Sequence, residues 1–311
     1  MRTLLAAALL TVLTAACGAA APNPSSSPVP SPIPSPDPSP LPSQLPTPSP
    51  LPSQTPGTDF YMRAWYTQAL PPEPTFSWLP VLTIKDGVAI DGNVAVPAIF
   101  PGPLVIVPNA RAISTDGILA IVAEARRMGL LEGATDFTGG PAPGAKLATI
   151  QMVADGVTVE ITGDPEGLSR CPDRCIPQPG TPEAFGAFFQ QISFLDSWIP
   201  DQLGPSRPYT PERVAVLLTT PQSADPGLEQ PLATWPLAGS FDEMGVEFPS
   251  GDNLTRCMTL TGDDLAAVWP ILTGANQLTV FHDEVDGQRS AVVAVLTPGQ
   301  ASPCPDEAAL R

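Results

Sequence analysis

Basic residues and histidine are scarce in this sequence. The 311 residues include 14 lysines and arginines against 31 acids, for a formal net charge of −17, and lysine occurs only at Lys85 and Lys146. A surface that binds nucleic acid or anionic lipid headgroups needs clustered cations, so the composition excludes both kinds of partner for the folded surface. A single histidine, His282, cannot build an H-E-x-x-H motif or a three-histidine zinc site.

Catalytic motifs are also missing. The chain has no G-x-S-x-G nucleophile elbow, and "TGGPAPGAK" at 138–146 lacks the spacing of a phosphate-binding loop, which predicts a linker. His282 stands beside two acids at a turn, so we predict a surface histidine. The acidic segments "HDEVDG" and "SFDEMG" depart from the calcium-loop pattern and predict ordinary turns. We therefore expect no catalytic residue, no metal and no cofactor.

Residues 1–16 have the features of a lipoprotein signal peptide. Met1 and Arg2 give a positive start, and the apolar run from Leu4 to Leu13 has the length of a signal-peptide core rather than of a membrane span. The sequence "LTAAC" that follows resembles the bacterial lipoprotein cleavage box, with an aliphatic residue and small residues before Cys17. We predict that Cys17 becomes the first mature residue and carries the lipid. An ordinary secretory signal peptide is the alternative.

Residues 17–57 predict a disordered tether behind the lipidated cysteine. Fifteen of the 43 prolines lie between positions 22 and 56, mostly in Pro-Ser or Pro-x repeats. Proline fixes φ and removes an amide donor, so neither helix nor sheet is expected there. At about 3.1 Å per residue, such a segment could extend on the order of 110 Å from a membrane. The prediction is an extracytoplasmic protein anchored to the cell membrane.

The four remaining cysteines form an even set in an exported chain, which predicts two disulfides. Four cysteines allow three pairings. We favour Cys171–Cys175, which closes the short loop "CPDRC", and Cys257–Cys304, which ties the last segment back to the preceding strand region. A metal site at "CPDRC" is the alternative, but neither a nearby histidine nor a second C-x-x-C supports it.

Three stretches at 80–92, 148–163 and 277–296 share one pattern. In each, apolar and other residues alternate, an Asp-Gly pair interrupts the alternation, and the alternation then resumes. Asp-Gly between β-rich runs is the strongest short hairpin signal, because tight turns need positive φ. We predict three antiparallel hairpins, with further strands at 59–67 and 212–220, the second of them central in a sheet.

Three helices are predicted between the strands. The first follows the cap candidates Ser114 to Asp116 and stops at Gly129. The second starts at Thr181 with Pro182 at its first position and presents one apolar face through Leu195. The third begins at Thr261, with Pro270 ending or kinking it.

These elements predict an α+β fold at 58–311 in which antiparallel β-hairpins are covered by helices. The repeated order of strand, hairpin and helix suggests two related halves, 58–140 and 146–311. A single continuous domain explains the same order equally well.

Several motifs in this region occur in a familiar order. "LPVLTIKDGVAI", "FPGPLVIVPNARAISTDGILAIVAEARRMGLL", "PYTPERVAVLL" and "CMTLTGDDLAAVWPIL" resemble a group of uncharacterised secreted or lipid-anchored proteins of high-GC bacteria. The resemblance covers most of residues 60–304. It implies an envelope location and a shared fold, and it carries over no activity or catalytic residue.

The expected function is that of a membrane-anchored envelope lipoprotein. Its membrane contact is the N-terminal lipid, and its globular domain binds a protein, a glycan or a small ligand without doing chemistry. One alternative is an extracellular hydrolase that uses two carboxylates, gathered in an aromatic-lined cleft near Trp78, Trp235 or Trp269. Another is a hydrolase inhibitor with an exposed loop that carries aromatic anchors.

The anchor gives the first testable prediction. Replacing Cys17 by alanine removes the thiol that accepts the lipid, so Cys17→Ala should release the protein into the medium or leave it unprocessed. Fractionation of cells with labelled lipid measures the outcome. Unchanged membrane retention together with lipid labelling would rule out Cys17 as the anchor.

Overall fold

Two β-sheets and four α-helices make up the part of the chain that the structure describes. The structure is a computed structural model, and it describes residues 60–68, 76, 79–96, 98–132, 135–139, 146–154, 156–167, 176–221, 225–248 and 255–305. The mixture of largely antiparallel strands with a few helices is α+β-like, as predicted. None of the described helices is long and apolar enough to cross a membrane.

An eight-stranded sheet contains all the described strands up to residue 208. Its strands, given in chain order, are β1 (Tyr61–Gln68), β2 (Leu82–Lys85), β3 (Val88–Asp91), β4 (Asn109–Ala112), β5 (Asp136–Phe137), β6 (Lys146–Ala154), β7 (Val157–Gly163) and β8 (Arg207–Pro208). Their order across the sheet is β5-β7-β6-β1-β2-β3-β4-β8, and only the β5–β7 pair is parallel.

A six-stranded sheet follows. Its strands are β9 (Arg213–Thr219), β10 (Leu232–Thr234), β11 (Val246–Glu247), β12 (Arg256–Thr261), β13 (Val280–His282) and β14 (Gln288–Leu296). They are ordered β10-β13-β14-β9-β12-β11, so β9 is central, as its apolar sequence predicted.

The helices are α1 (Thr115–Arg127), α2 (Pro182–Ser193), α3 (Leu195–Trp198) and α4 (Gly262–Gly274). A 3₁₀ turn at Pro200–Gln202 lies directly after α3. The Ser114 side chain accepts a hydrogen bond from the Gly117 amide and caps α1, and Gly129 has a positive φ behind its end. Thr181 caps α2 in the same way. Both helix starts agree with the prediction.

Three details differ from the prediction. The segment after Thr181 is not one helix, because the backbone breaks at Phe194 between α2 and α3. Of the two effects predicted for Pro270, ending the helix does not occur, because α4 continues to Gly274. The third hairpin has no two-residue turn, because five residues, 283–287, separate the paired positions His282 and Gln288. The first hairpin does turn at Asp86 and Gly87, both with positive φ.

Each sheet buries one face against helices. Alternate residues of β1, Met62 and Ala64, are fully buried and belong to the first core, which α1 and α2 cover. The second core lies between the six-stranded sheet and α4, and includes Val216 and Val268.

The proposed halves 58–140 and 146–311 are not confirmed, because β6 pairs directly with β1 and the sheets change near residue 210.

The turn that follows β14, at residues 297–300, joins the two sheets. Tyr61 and Arg63 of β1 donate hydrogen bonds to the carbonyls of Pro298 and Gly299, at 3.3 and 3.1 Å. The buried Thr83 hydroxyl of β2 also donates to the Thr297 hydroxyl, at 3.0 Å. The joint therefore uses backbone carbonyls and buried hydroxyls in addition to apolar contact.

A glycine is required at this joint, which gives a stability prediction. Gly299 has φ +76°, and a Cβ placed there would lie 2.5 Å from the Tyr61 hydroxyl oxygen. Gly227 is the matched control, because it also has a positive φ, +96°, but no described atom lies within 4 Å of a Cβ placed there. An alanine at Gly227 would therefore have the backbone strain without the steric clash. Gly227→Ala should cost about 1–2 kcal/mol of unfolding free energy. Gly299→Ala should cost about 1–3 kcal/mol more, since Tyr61 must move.

Chemical denaturation of the two variants beside the wild type measures this difference. Equal losses for Gly299→Ala and Gly227→Ala would mean that the contact between the turn and Tyr61 does not hold the sheets together.

Candidate functional site

A groove lies at the joint of the two sheets. Its volume is about 740 Å³, within the range of small-molecule sites. Five segments line it: the end of β1 (Arg63, Trp65, Tyr66, Thr67), Leu79 and Pro80, the connection from β3 to β4 (Gly92, Val94, Val96, Ile106), Lys146 at the start of β6, and Gln300 with Ala301. We call this surface the joint groove.

Two cation–aromatic pairs are the polar feature of the joint groove. The guanidinium carbon of Arg63 lies 4.3 Å from the ring centroid of Trp65, and the Lys146 ammonium lies 5.8 Å from that of Tyr66. Among the described lining residues there is no carboxylate, and neither cation forms an ion pair with a described residue. In a chain with 31 acids, the described lining therefore carries two positive charges and no negative one, and Glu166 acts on Tyr66 from outside the lining.

Arg63 is held by the joint and still has a free donor. One guanidinium nitrogen donates to the Gly299 carbonyl, as described above, which fixes the plane of the group against Trp65. Its Nε is buried and has no hydrogen-bond partner among the described residues. A buried donor of this kind is costly unless something satisfies it.

Tyr66 connects the groove to the first core. Its ring contacts Phe189 of α2 edge to face, with centroids 5.3 Å apart. Partial burial raises the pKa of the Tyr66 hydroxyl, and the negative charge of Glu166 raises it further. The phenol is therefore neutral over the physiological range and acts as a hydrogen-bonding group, not as a base.

The remaining wall of the groove is apolar and exposed. Val96 is 50% exposed and Ile106 is 40% exposed, an unusual state for two aliphatic side chains that lie together on one cavity wall. The same connection continues into Ile99 and Phe100, which are 65% and 64% exposed. Apolar surface is therefore available both in the groove and on the loop that borders it.

A second, smaller cleft of about 300 Å³ contains the two carboxylates Asp91 and Asp196. Arg111 forms an ion pair with Asp196, and the Asp91 carboxylate accepts a hydrogen bond from the Asn93 amide at 2.8 Å. Burial raises the pKa of Asp91 above its usual value, and Asp196 adds to the rise, while Asn93 and Arg111 oppose it. The cleft therefore brings together the Asp91 carboxyl, whose pKa is raised, and the Asp196 carboxylate, which forms an ion pair with Arg111.

Two of the three tryptophans around which an aromatic cleft was expected, Trp235 and Trp269, line neither site. Trp235 is 2% exposed and packs edge to face on Phe241 and Phe281 in the second core. Trp269 packs partly buried against the same core, and Trp78 lies outside the described residues. The aromatic residues of the joint groove are Trp65 and Tyr66, which the sequence placed in a strand without a functional role. The rarity of lysine was the one signal that pointed toward this place.

His282 and its acidic neighbour have structural contacts. The imidazole Nε2 of His282 lies 2.9 Å from the Thr234 hydroxyl, between β13 and β10. Asp283 is 3% exposed, and its carboxylate accepts hydrogen bonds from the amides of Phe241, Val285 and Gly287 at 2.7 to 3.0 Å. Its two oxygens therefore hold the loop at 283–287 in place through backbone amides. Among the described residues, no cluster of acids, histidines or cysteines could hold a metal ion.

The predicted covalent sites fall in different parts of the chain. The sulfurs of Cys257 and Cys304 lie at disulfide distance, 2.05 Å apart, which is one of the two pairings favoured above. Cys17, Cys171 and Cys175 lie outside the described residues.

No protein-family model matches the chain, and no curated protein or solved structure matches it. The similarity to secreted proteins of high-GC bacteria therefore stays a prediction, and the function has to be inferred from the residues themselves.

The loop carboxylate gives a prediction that depends on pH. Burial opposes the charge of Asp283, but the amides of Phe241, Gly287 and Val285, with help from Arg289, lower the pKa of Asp283 below its usual value. A carboxylate whose pKa is lower in the folded state than in the unfolded chain stabilises the fold at pH values above its unfolded pKa, which is near 4. This stabilisation is lost as the pH falls through the pKa of the folded state. Asp283→Asn leaves the Phe241 amide poorly satisfied, so it should cost about 1–3 kcal/mol at neutral pH.

The deficit of Asp283→Asn should shrink as the pH falls from about 4 toward the lowered pKa of the folded carboxylate, because the wild type loses the stabilisation by its ionised carboxylate over that range. Denaturation at several pH values measures it, with the exposed Asp286→Asn as the control. A deficit that did not change with pH would mean that the ionised carboxylate is not what holds the loop. Stabilisation of the wild type by calcium that Asp283→Asn abolishes would replace the structural role with a metal site.

Proposed function

We propose that this protein is an envelope lipoprotein, lipid-anchored through Cys17, whose α+β domain binds a ligand in the joint groove without doing chemistry. The proline-rich residues 17–57 hold the domain away from the membrane. The N-terminal lipid is the membrane contact, and nucleic acid is not a partner, because the chain carries a net charge of −17.

The observation that carries the proposal is the pair of cation–aromatic contacts in the groove. Arg63 over Trp65 and Lys146 near Tyr66 form a surface that combines charge with flat apolar area. Ligand sites are typically apolar cavities with a few well-placed polar groups, and the groove has this composition. The lining residues that the structure describes offer no nucleophile with an adjacent base, so they support binding rather than turnover.

A second candidate function is hydrolysis by the pair Asp91 and Asp196. The raised pKa of Asp91 favours a general acid, and the ion pair with Arg111 holds the Asp196 carboxylate in the same cleft. Against it, the Asn93 amide occupies one oxygen of Asp91, and Asn93 itself is bound to the Ser193 carbonyl. The same contacts explain both acids structurally, because Asn93 fastens the end of α2 to the sheet and the Arg111–Asp196 pair fastens α3.

The test is retention of compounds from an envelope extract. The probe protein is residues 17–311 with Cys17→Ser, which removes the lipid and keeps the tether and every described residue. Mass spectrometry compares what the immobilised wild type, Trp65→Ala and Phe194→Ala retain. Phe194 is 62% exposed and lines the smaller cleft, so it is the matched aromatic control.

We expect a compound held stoichiometrically by the wild type and by Phe194→Ala but at least about tenfold more weakly by Trp65→Ala, since stacking on an aromatic face and its area are lost. Equal retention by all three proteins would contradict the groove as the binding site. Turnover of a retained compound that Asp91→Asn abolishes would favour the hydrolase.

A further inference from the structure

The composition of the joint groove limits the chemistry of its ligand. We infer that the groove binds an amphipathic carboxylate, that is, an aliphatic chain that ends in a carboxylate group. The inference rests on the proposed function, because it names the ligand class of the same groove.

Charge is the first argument. Both ionisable cations in the lining lie within reach of the cavity, and no described lining residue carries negative charge. The chain as a whole is strongly acidic and repels anions at a distance, so a local pair of cations makes this place different from the surrounding surface. An anionic ligand would match that pair, whereas a cationic ligand would be held away from it.

Unsatisfied donors are the second argument. The exposed Lys146 ammonium lies over a ring face and donates to no acceptor among the described residues, while the Arg63 guanidinium uses one nitrogen for the Gly299 carbonyl. A carboxylate is an acceptor-only group with two oxygens, and it forms short, charge-assisted hydrogen bonds with both kinds of cation. It would satisfy donors that the protein leaves open.

The apolar wall argues for an aliphatic chain. Leu79, Val94, Val96 and Ile106 contribute side chains to one cavity, and two of them are at least 40% exposed. Covering such surface with hydrocarbon contributes roughly 25 cal/mol per Å² of apolar area buried. An anion without a chain, such as a short carboxylate, would leave this surface in water.

The neutral polar groups argue against a glycan. Among the described lining residues, the neutral polar side-chain groups are few, namely the hydroxyls of Tyr66 and Thr67, the indole N–H of Trp65 and the amide of Gln300. The Gln300 carbonyl oxygen already accepts from the Thr297 amide and hydroxyl, at 3.1 and 3.2 Å. Sugar hydroxyls would lose water in the groove without enough new partners, and each such loss costs free energy.

Strand pairing argues against an extended peptide. The strands beside the groove are β1, which lies between β6 and β2, and β6, which lies between β7 and β1. β6 has a partner on both sides, and β1 lacks a described partner opposite β6 only at residues 65–68. An added strand would have at most these four residues to pair with, so the ligand is expected to bind mainly through side chains, which suits a small amphiphile.

Dodecanoate is the probe that tests the inference. Isothermal titration below its aggregation concentration compares it with butyrate, which lacks the chain, with dodecanol, which lacks the charge, and with dodecyltrimethylammonium, which reverses it. The protein is again residues 17–311 with Cys17→Ser. We expect saturable binding of one dodecanoate per chain and at least about tenfold weaker binding of the other three compounds.

The two lysines of the chain supply a matched pair of variants. Lys146→Gln should weaken dodecanoate binding about tenfold, the effect of losing one charge-assisted hydrogen bond. Lys85→Gln removes the same charge from β2, outside the groove, and should leave binding unchanged. Lys146 is exposed, so the fold should survive its replacement, and thermal unfolding checks this.

Three outcomes would overturn the inference. Equal binding of dodecanol and dodecanoate would mean that the cations play no part. Dodecanoate binding that both lysine variants weaken equally would mean that net charge, not the groove, is responsible. Sedimentation with phosphatidylglycerol vesicles without binding of free dodecanoate would replace the ligand site with a membrane-contact surface.

The extract experiment separates this inference from the proposed function. If a compound of another class is retained in a Trp65-dependent way and dodecanoate does not bind, the ligand class is wrong and the binding function stands. If the extract yields no Trp65-dependent compound and dodecanoate does not bind, both are wrong.

Discussion

The turn after β14 is the contact on which both the assembly of the fold and the candidate site depend. Its backbone carbonyls accept hydrogen bonds from Arg63 of β1 and Arg213 of β9, one strand from each sheet. The Thr83 and Thr297 hydroxyls meet at 3.0 Å in the buried part of the same joint. Buried polar groups are costly unless they are paired, so these contacts favour one arrangement of the two sheets over others.

The joint also sets the shape and charge of the groove. Gln300 and Ala301 line the cavity directly, and the Arg63 guanidinium that binds the Gly299 carbonyl is the one that lies over Trp65. The same side chain therefore holds the joint and, in the proposed function, contacts the ligand. Because one of its nitrogens is committed to the backbone, its position is fixed before a ligand arrives, and preorganisation of this kind lowers the cost of binding.

Local elements of the fold could be predicted because their signals are local. Asp86 and Gly87 adopt the positive φ values that a tight hairpin needs, and Ser114 and Thr181 cap helices through contacts three residues away. The third hairpin could not be predicted in detail. The Asp283 carboxylate binds the Phe241 amide, 42 residues away, and such a long-range contact replaces the tight turn with a five-residue loop.

The sequence by itself determined the α+β class, the first hairpin and the helix starts, since each follows from spacing or composition within a short stretch, and the anchor and tether stay predictions of the same kind. Only the tertiary structure decided which residues share a site. Trp65, Val94, Lys146 and Gln300 come from segments up to 235 positions apart, and no periodicity relates them. Which face of β1 meets the turn after β14 depends on the packing of two sheets, and that is a property of the whole chain rather than of any segment.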